Sequence, residues 1–342
     1  MAKEKTDYGQ LIRSLREKGP ESIYLLWGEE DYLRESYFQE LKSACISPGE
    51  DFNYHRLNGG ALDYQLLMEA ANAMPFMGQR TFAEIRDFEI NACKDEKAER
   101  LKEILSDVPD YATLVFVLPT GYEPDGRQAA FKLFKKTGQV IEFTTQPQAM
   151  LTKWIKKRFE ALGKYIDNEA CQRLIFMSGE MMTRLVPEIE KIAGYVKEPQ
   201  VTKEQVEKLA QRIPEASVFE MTDLLADKSY DAAAGVLAEL LQSGEPPIKL
   251  LAMIGFQMRR LYTAKLAQET GLGKDFLMKT NNISHDFLAT KLLNSAKRFS
   301  MDALKQMLAL CAEADYEMKS SFKTDEDVLK ELILRMAVEA QK

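Results

Sequence analysis

Histidine is nearly absent from this 342-residue chain, which has only His55 and His285. A histidine-rich metal centre is therefore excluded, and a Cys/His nucleophilic dyad has few ways to form. The four cysteines, Cys45, Cys93, Cys171 and Cys311, are scattered and form no CxxC pair. That pattern suits reduced thiols and argues against a zinc ribbon or a disulfide scaffold. No apolar run approaches the roughly 18 residues of a membrane span. The longest β-like run is only Leu114 to Leu118. Met1 to Lys5 leads into a polar amphipathic stretch and not into a signal-peptide core. A cytoplasmic location without a membrane partner is expected. An excess of positive charge is also missing: 46 Lys and Arg stand against 53 Asp and Glu, a formal net charge of −7. Avid duplex binding by the lone chain is not expected.

What is present is ordinary for a globular protein, with 45% hydrophobic and 29% charged residues. At roughly 150 residues per domain the length suggests two or three domains. Over residues 1–146 strand and helix patterns alternate. Ile23–Trp27 is a short apolar run ended by Gly28, and Asp31–Ala44 places Tyr32, Leu33, Tyr37, Phe38 and Leu41 at helical spacing. Phe52–Leu57 alternates as a strand. Ala61–Met74 is predicted helical, with Leu62, Leu66, Met68 and Ala70 on its apolar face. Arg80–Ile85, Thr113–Leu118 and Gln139–Phe143 read as further strands, and Ala98–Leu105 and Gln128–Lys136 as helices. This alternation predicts a mostly parallel sheet covered by helices.

After Gln146–Pro147 the strand signal disappears. Helices are predicted over Ala149–Leu162, Asn168–Met177, Met181–Val196 and Lys203–Gln211, with a boundary at Ile213–Ala216. The remaining residues also read as helical. Ser229 is expected to cap the helix Asp231–Gln242, Gly244 to end it, and Pro246–Pro247 to open Ile248–Gln268. Ser300 caps Met301–Lys319, and Thr324 with Asp327 approximates a capping box for the last helix. The charge is uneven: residues 1–146 carry 18 basic and 25 acidic side chains, the rest 28 of each. An acidic sheet domain beside neutral helical ones points to protein partners before DNA.

The first strand–turn–helix of a nucleotide-binding α/β domain normally carries a glycine-rich loop that cradles phosphate at the helix N-terminus. Here the turn is Gly28-Glu29-Glu30-Asp31, and no GxxxxGK[ST] occurs anywhere in the chain. Three carboxylates stand where an anion would bind. They would repel phosphate, or they simply complement the positive end of the helix dipole. Both readings agree that this turn is no ATP site.

Other candidates for chemistry are sparse. Asp87 follows a strand, where a magnesium-binding aspartate would sit, and also where an ordinary turn residue would sit. His55 lies in a short strand as a structural or surface residue. Lys153, Lys156, Lys157 and Arg158 form either a solvated helix face or a contact for nucleic acid or an acidic partner. No catalytic or metal-ligating set is found, and no cofactor is expected.

The order of GEEDYL after the first strand, MPFMGQR in mid-domain, GEMMTRLVPEIEKIAGY, QSGEPPIKLLAMIGFQMRRLY and ADYEMKSSFKTDEDVLKELILRM resembles the delta subunit family of the bacterial DNA polymerase III clamp loader, over about residues 20 to 340. The resemblance implies an α/β plus all-α, AAA+-like architecture. It would comprise a RecA-type parallel sheet domain over 1–146 without a phosphate loop, a small helical lid over 147–213 and a helical collar over 214–342. It implies a subunit of the DNA polymerase holoenzyme with no catalytic activity of its own. Such a subunit binds and opens the beta sliding clamp for loading onto primed DNA. The partners implied are that clamp, gamma/tau-type ATPase subunits and the delta-prime subunit, with DNA met only weakly or within the complex. The family contacts the clamp through a hydrophobic pair at a helix tip, commonly Leu-Phe. The matching positions here are Phe76 and Met77, with the aromatic first. Pro75 and Gly78 flank the pair so that it projects, although both residues could instead cap their own domain's core. In the last domain, Ile248–Gln268 and Met301–Lys319 have apolar faces wide enough for a core and a partner, or for a self-contained bundle. Two other readings compete: an active AAA+ or P-loop ATPase, and a small-molecule enzyme using the sheet crevice.

Overall fold

The computed structural model of the chain describes residues 7–283 and 286–341. His285 and Met1–Lys5 lie outside them. Two compact units form: Met1–Thr145 with Met181–Thr183, and Gln146–Glu180 with Arg184–Lys342.

In the first unit α1 (Tyr8–Lys18) precedes β1 (Ile23–Gly28), α2 (Asp31–Cys45), β2 (Tyr54–Asn58), α3 (Tyr64–Asn72), β3 (Thr81–Arg86), α4 (Asp95–Ser106), β4 (Ala112–Val117), α5 (Ala129–Thr137) and β5 (Gln139–Phe143). The five strands are parallel in the order β2-β3-β4-β1-β5. Of the three inner strands, β4 and β1 are the most continuously apolar, as burial on both faces requires. Along β1 and β4, Ile23, Leu25, Leu114 and Phe116 join Leu67, Leu101, Phe131 and Phe134 in one core. The alternate residues Tyr24 and Leu26 are equally buried, which places them on the opposite face by the two-residue period of a strand.

Two expectations shift here. α3 begins at Tyr64 instead of Ala61, because the Asp63 carboxylate accepts from the N–H groups of Gln65 and Leu66. It ends at Asn72 instead of Met74, since Pro75 disfavours helical backbone at the residue before it. Its buried face is Leu67, Ala70 and Ala71, so Leu66 and Met68 are exposed. Phe52 lies outside β2, in a 3-10 turn Asp51–Asn53 whose Asn53 N–H donates to the Glu50 carbonyl at 2.9 Å.

The second unit begins with α6 (Gln148–Ala161), β6 (Tyr165–Ile166), α7 (Asn168–Ser178), most of α8 (Met182–Tyr195), β7 (Gln200–Val201) and α9 (Lys203–Leu209). β6 and β7 pair in parallel, a correction to the expectation of no strands; two residues are too few to show alternation. Then come α10 (Pro214–Ala226), α11 (Tyr230–Gln242), α12 (Pro247–Glu269), α13 (Gly273–Thr280), α14 (Asp286–Ala296), α15 (Met301–Ser320) and α16 (Asp325–Glu339). α12 is the axis of this bundle, packed by α10, α13, α14, α15 and α16. It buries Leu250, Ile254, Met258 and Leu261 in one core with Leu304, Met307 and Leu329. Gly244 ends α11 with φ +84°, and Pro247 opens α12. Ser300 caps α15 through its side chain. Ser229 stands at the N-cap of α11 but makes no side-chain cap bond. The Thr324 hydroxyl accepts from the Asp327 N–H and meets the Asp327 carboxylate at 2.7 Å, so the reciprocal half of a capping box is replaced by a side-chain bond.

Candidate functional site

The first place to look is the end of β1, where ligands bind in open parallel sheets. The turn Gly28–Asp31 is closed on itself. Gly28 has φ +123°, and a Cβ there would meet the Phe143 carbonyl oxygen at 2.2 Å, so β5 passes where a side chain would be. The Glu30 N–H, one of the donors a phosphate would need, is given to the Phe143 carbonyl at 3.1 Å. Each of the three carboxylates has a different fate. Glu29 is exposed and accepts from the Thr145 N–H and hydroxyl, both at 3.2 Å. Glu30 is fully buried and accepts at 3.2 Å from the N–H of Met182, which belongs to the same unit. Burial raises its pKa from the ordinary glutamate value. The Met182 and Tyr32 N–H groups pull the other way, and Asp31 and Glu29 add to the rise. Asp31 pairs with Arg34 at 2.5 Å and accepts from the Thr120 hydroxyl at 2.8 Å. The picture of three carboxylates charging a helix end is therefore corrected for Glu30, whose side chain is buried and turns to the Met182 N–H.

Arg34 was not singled out from sequence, yet it fastens this turn. It is buried and donates to the Gly28 carbonyl at 3.1 Å and to Thr120 at 3.2 Å. Its signal was the Asp31–Arg34 spacing of three, one helical turn into α2.

The second place is the loop between α3 and β3. Met74, Phe76 and Met77 are 80%, 61% and 83% exposed. Their backbone is not loose. The side-chain amide of Asn53 accepts from the Phe76 N–H at 2.7 Å and donates to the Phe76 carbonyl at 3.0 Å. Met77 takes φ +55°, unusual for a residue with a side chain. Behind the loop, Arg80 donates to the Thr113 hydroxyl at 3.0 Å. The alternative that Phe76 and Met77 cap their own core does not fit these exposures.

The remaining candidates gather no chemistry. Asp87 is an exposed turn residue with φ +58°. His55 is half-buried in β2. On α6, Lys153 and Lys157 face solvent, while Arg158 lies 3.8 Å from Glu190 and over the Trp154 ring. The four cysteines are buried free thiols, and burial raises the pKa of each. Among the described residues no group of three His, Cys, Asp or Glu could hold a metal ion. Nor is any described helix long and apolar enough to cross a membrane. In the second unit Ile248, Phe256, Tyr316 and Leu334 remain exposed on α12, α15 and α16.

Comparison with known proteins bears on the whole chain. Residues 24–144 match the family model "DNA polymerase III, delta subunit", and residues 215–336 match "DNA polymerase III delta subunit, C-terminal domain". The DNA polymerase III subunit delta of Bacillus subtilis (strain 168) is 25% identical over 331 residues, covering 94% of each chain. The probable DNA polymerase III subunit delta of Aquifex aeolicus (strain VF5) is 25% identical over 322 residues, covering 92% of this chain and 90% of the relative. Among solved structures, a Bacillus subtilis DNA clamp loader delta protein aligns with a TM-score of 0.54 at 21% identity, over 97% of this chain and 100% of that one. The fold is thus a parallel sheet with added helices, similar to that clamp loader delta protein. The two models together span most of the chain, which belongs to the DNA polymerase III delta subunit family.

Proposed function

We propose that this chain is the non-catalytic subunit of a clamp loader that grips the beta sliding clamp and helps open it for loading onto primed DNA. The observation that carries this reading is the exposed, held tip: Phe76 and Met77 present 61% and 83% of their surface to water on an ordered loop. Contiguous apolar groups held in water commonly mark a partner site. Methionine adapts its shape to a foreign apolar pocket. The sheet unit over 1–146 supplies the tip. Residues 147–213 serve as the lid, and 214–342 as the collar that joins gamma/tau-type ATPase subunits and delta-prime through faces such as Ile248, Phe256 and Tyr316. The competing reading as an ATPase is not favoured. The turn Gly28–Asp31 has no lysine, spends the Glu30 N–H on Phe143 and fills its interior with the Glu30 carboxylate.

The test is clamp binding by surface plasmon resonance with Phe76→Ala/Met77→Ala. The double variant is expected to keep its melting temperature and its assembly with ATPase subunits while losing the clamp. Unchanged clamp affinity would overturn the assignment. Isothermal titration of the wild-type chain with ATP is expected to give no heat of binding, and a micromolar Kd would restore the ATPase reading.

A further inference from the structure

We infer that the 3-10 turn Asp51–Asn53 is the second half of the clamp-binding tip: Asn53 is the positioning residue that holds Phe76 and Met77 in their presenting geometry, and Phe52 is a third apolar side chain entering the same pocket. This rests on the reading of Phe76 and Met77 as the clamp contact.

Asn53 is 1% exposed, and both ends of its amide are spent on the backbone of one residue 23 positions away. The Phe76 N–H reaches Asn53 Oδ1 at 2.7 Å, and Asn53 Nδ2 reaches the Phe76 carbonyl at 3.0 Å. A side-chain amide here does what a neighbouring strand would do for a peptide, in a loop with no strand beside it. A side-chain amide suits this geometry because it offers a donor and an acceptor side by side without charge. The neighbouring Glu50 completes the seat. Its carboxylate accepts from the Ser47 N–H at 3.2 Å. A Cβ on Gly78 would fall 2.8 Å from both Glu50 Oε2 and Asn53 Nδ2, so the loop lies flush against this pair. With Phe76 fixed, the left-handed backbone of Met77 follows and turns its side chain outward. A loop that keeps such a conformation while exposing its apolar side chains stores its order for a partner.

Phe52 stands beside Asn53 in the chain, so the residue that fixes one ring also fixes the other. The rings of Phe52 and Phe76 meet edge to face, with centroids 5.6 Å apart and planes at 80°. Both remain largely in water, Phe52 at 59% exposure. Neither ring is taken up by the core below, which closes with Phe38 and Phe82. The run Met74-Pro75-Phe76-Met77-Gly78-Gln79 carries no formal charge. The complementary surface is therefore an apolar pocket wide enough for an edge-to-face aromatic pair, and preordering both rings lowers the entropic cost of entering it.

The experiment measures clamp affinity of full-length Phe52→Ala, Asn53→Ala, Phe76→Ala and the Asn53→Ala/Phe76→Ala pair, with thermal melting and amide hydrogen exchange on the same samples. Phe52→Ala is expected to weaken clamp binding about ten-fold at unchanged melting temperature, the usual size for a truncated anchor. Asn53→Ala is expected to weaken it by a similar factor. It should also speed exchange at the Phe76 N–H selectively over the sheet amides. The double variant should be far less impaired than the product of the two single losses, because Asn53 acts through Phe76. Asn53→Asp, which keeps the acceptor for the Phe76 N–H but sets a charged oxygen against the Phe76 carbonyl, should not recover the loss. Phe52→Ala within two-fold of wild type, or additive losses for Asn53 and Phe76, would overturn this inference while Phe76→Ala/Met77→Ala still abolishes binding. If that double variant binds normally, the parent reading fails instead.

Discussion

Two loops of the sheet unit reverse the usual distribution of polarity in opposite ways. At the end of β1 a carboxylate, Glu30, is buried with no exposed surface. Between α3 and β3 a methionine, Met77, keeps 83% of its surface in water. Burying an ionisable group and exposing large apolar groups are both costly, and each persists where the surroundings compensate for it. At the turn the compensation is internal but partial: Met182, Thr145, Thr120 and Arg34 bond polar groups of the turn, while Glu30 Oε1 finds no hydrogen-bond partner among the described residues. At the tip Asn53 holds the backbone, but the side chains of Phe76 and Met77 stay largely in water. The difference separates a turn closed from within from a tip whose apolar side chains stay in water, as the proposed clamp contact requires.

Breaking the open loop should change binding and spare stability. Burying a large apolar side chain yields roughly 1.5–3 kcal/mol. On the proposed reading, the pair Phe76 and Met77 is expected to account for about two to four orders of magnitude in clamp affinity, and its removal should shift the melting temperature by no more than about 2 °C. A fall of ten degrees would mean that the tip belongs to the core.

Breaking the closed loop should do the reverse. Gly28→Ala places a Cβ 2.2 Å from the Phe143 carbonyl oxygen, against backbone that cannot rotate away, at φ +123°. A cost of about 2–4 kcal/mol is expected in urea unfolding of the full chain, from overpacking and strain together. Whatever remains folded should bind the clamp with wild-type affinity. A stable Gly28→Ala variant would show that β1 and β5 can separate, and the turn would no longer count as closed.

The fold was readable because its signals repeat. β4 spells Thr113 to Val117 without interruption, and α2 places Leu33, Tyr37, Phe38 and Leu41 on one face, all of them buried. The short β6–β7 pair was not readable, because two residues carry no period. On α3 the apolar residues outnumber what one face can bury, so periodicity could not choose between Leu66 and Met68 on one side and Leu67, Ala70 and Ala71 on the other. At the tip, Pro75 and Gly78 marked a projecting turn, and the resemblance pointed to Phe76 and Met77. Asn53 could not be found that way, because its partner lies 23 residues off and no local spacing links them. The half-buried Lys291 is a similar case. It sits over the Phe176 and Phe219 rings at 4.1 and 4.2 Å and 3.8 Å from Asp223, where burial lowers its pKa to about 8. In the sequence it is one lysine among many.

The smallest expected effect tests the closed loop by its protonation. Burial raises the Glu30 pKa, outweighing the two N–H groups that favour the charged form. A carboxyl whose folded pKa lies above its unfolded value contributes stability that is complete below the unfolded value. That contribution is lost as the pH rises through the folded one. Ionised Glu30 therefore costs the protein stability at neutral and alkaline pH. Glu30→Gln keeps a carbonyl oxygen for the Met182 N–H and fixes the group in its neutral form. The variant is expected to be more stable than wild type at pH 8 by on the order of 1 kcal/mol, about 2–4 °C in melting temperature. The gap should close as the pH falls toward the ordinary glutamate range, where the wild-type carboxyl is itself protonated. Clamp affinity should stay constant throughout, in contrast to the tip variants. A melting difference that does not vary between pH 8 and pH 4.5, or a Gln variant less stable at pH 8, would mean that the Glu30 carboxylate is held by its N–H partners more strongly than burial opposes it. The turn would then be an anion site already filled by its own side chain.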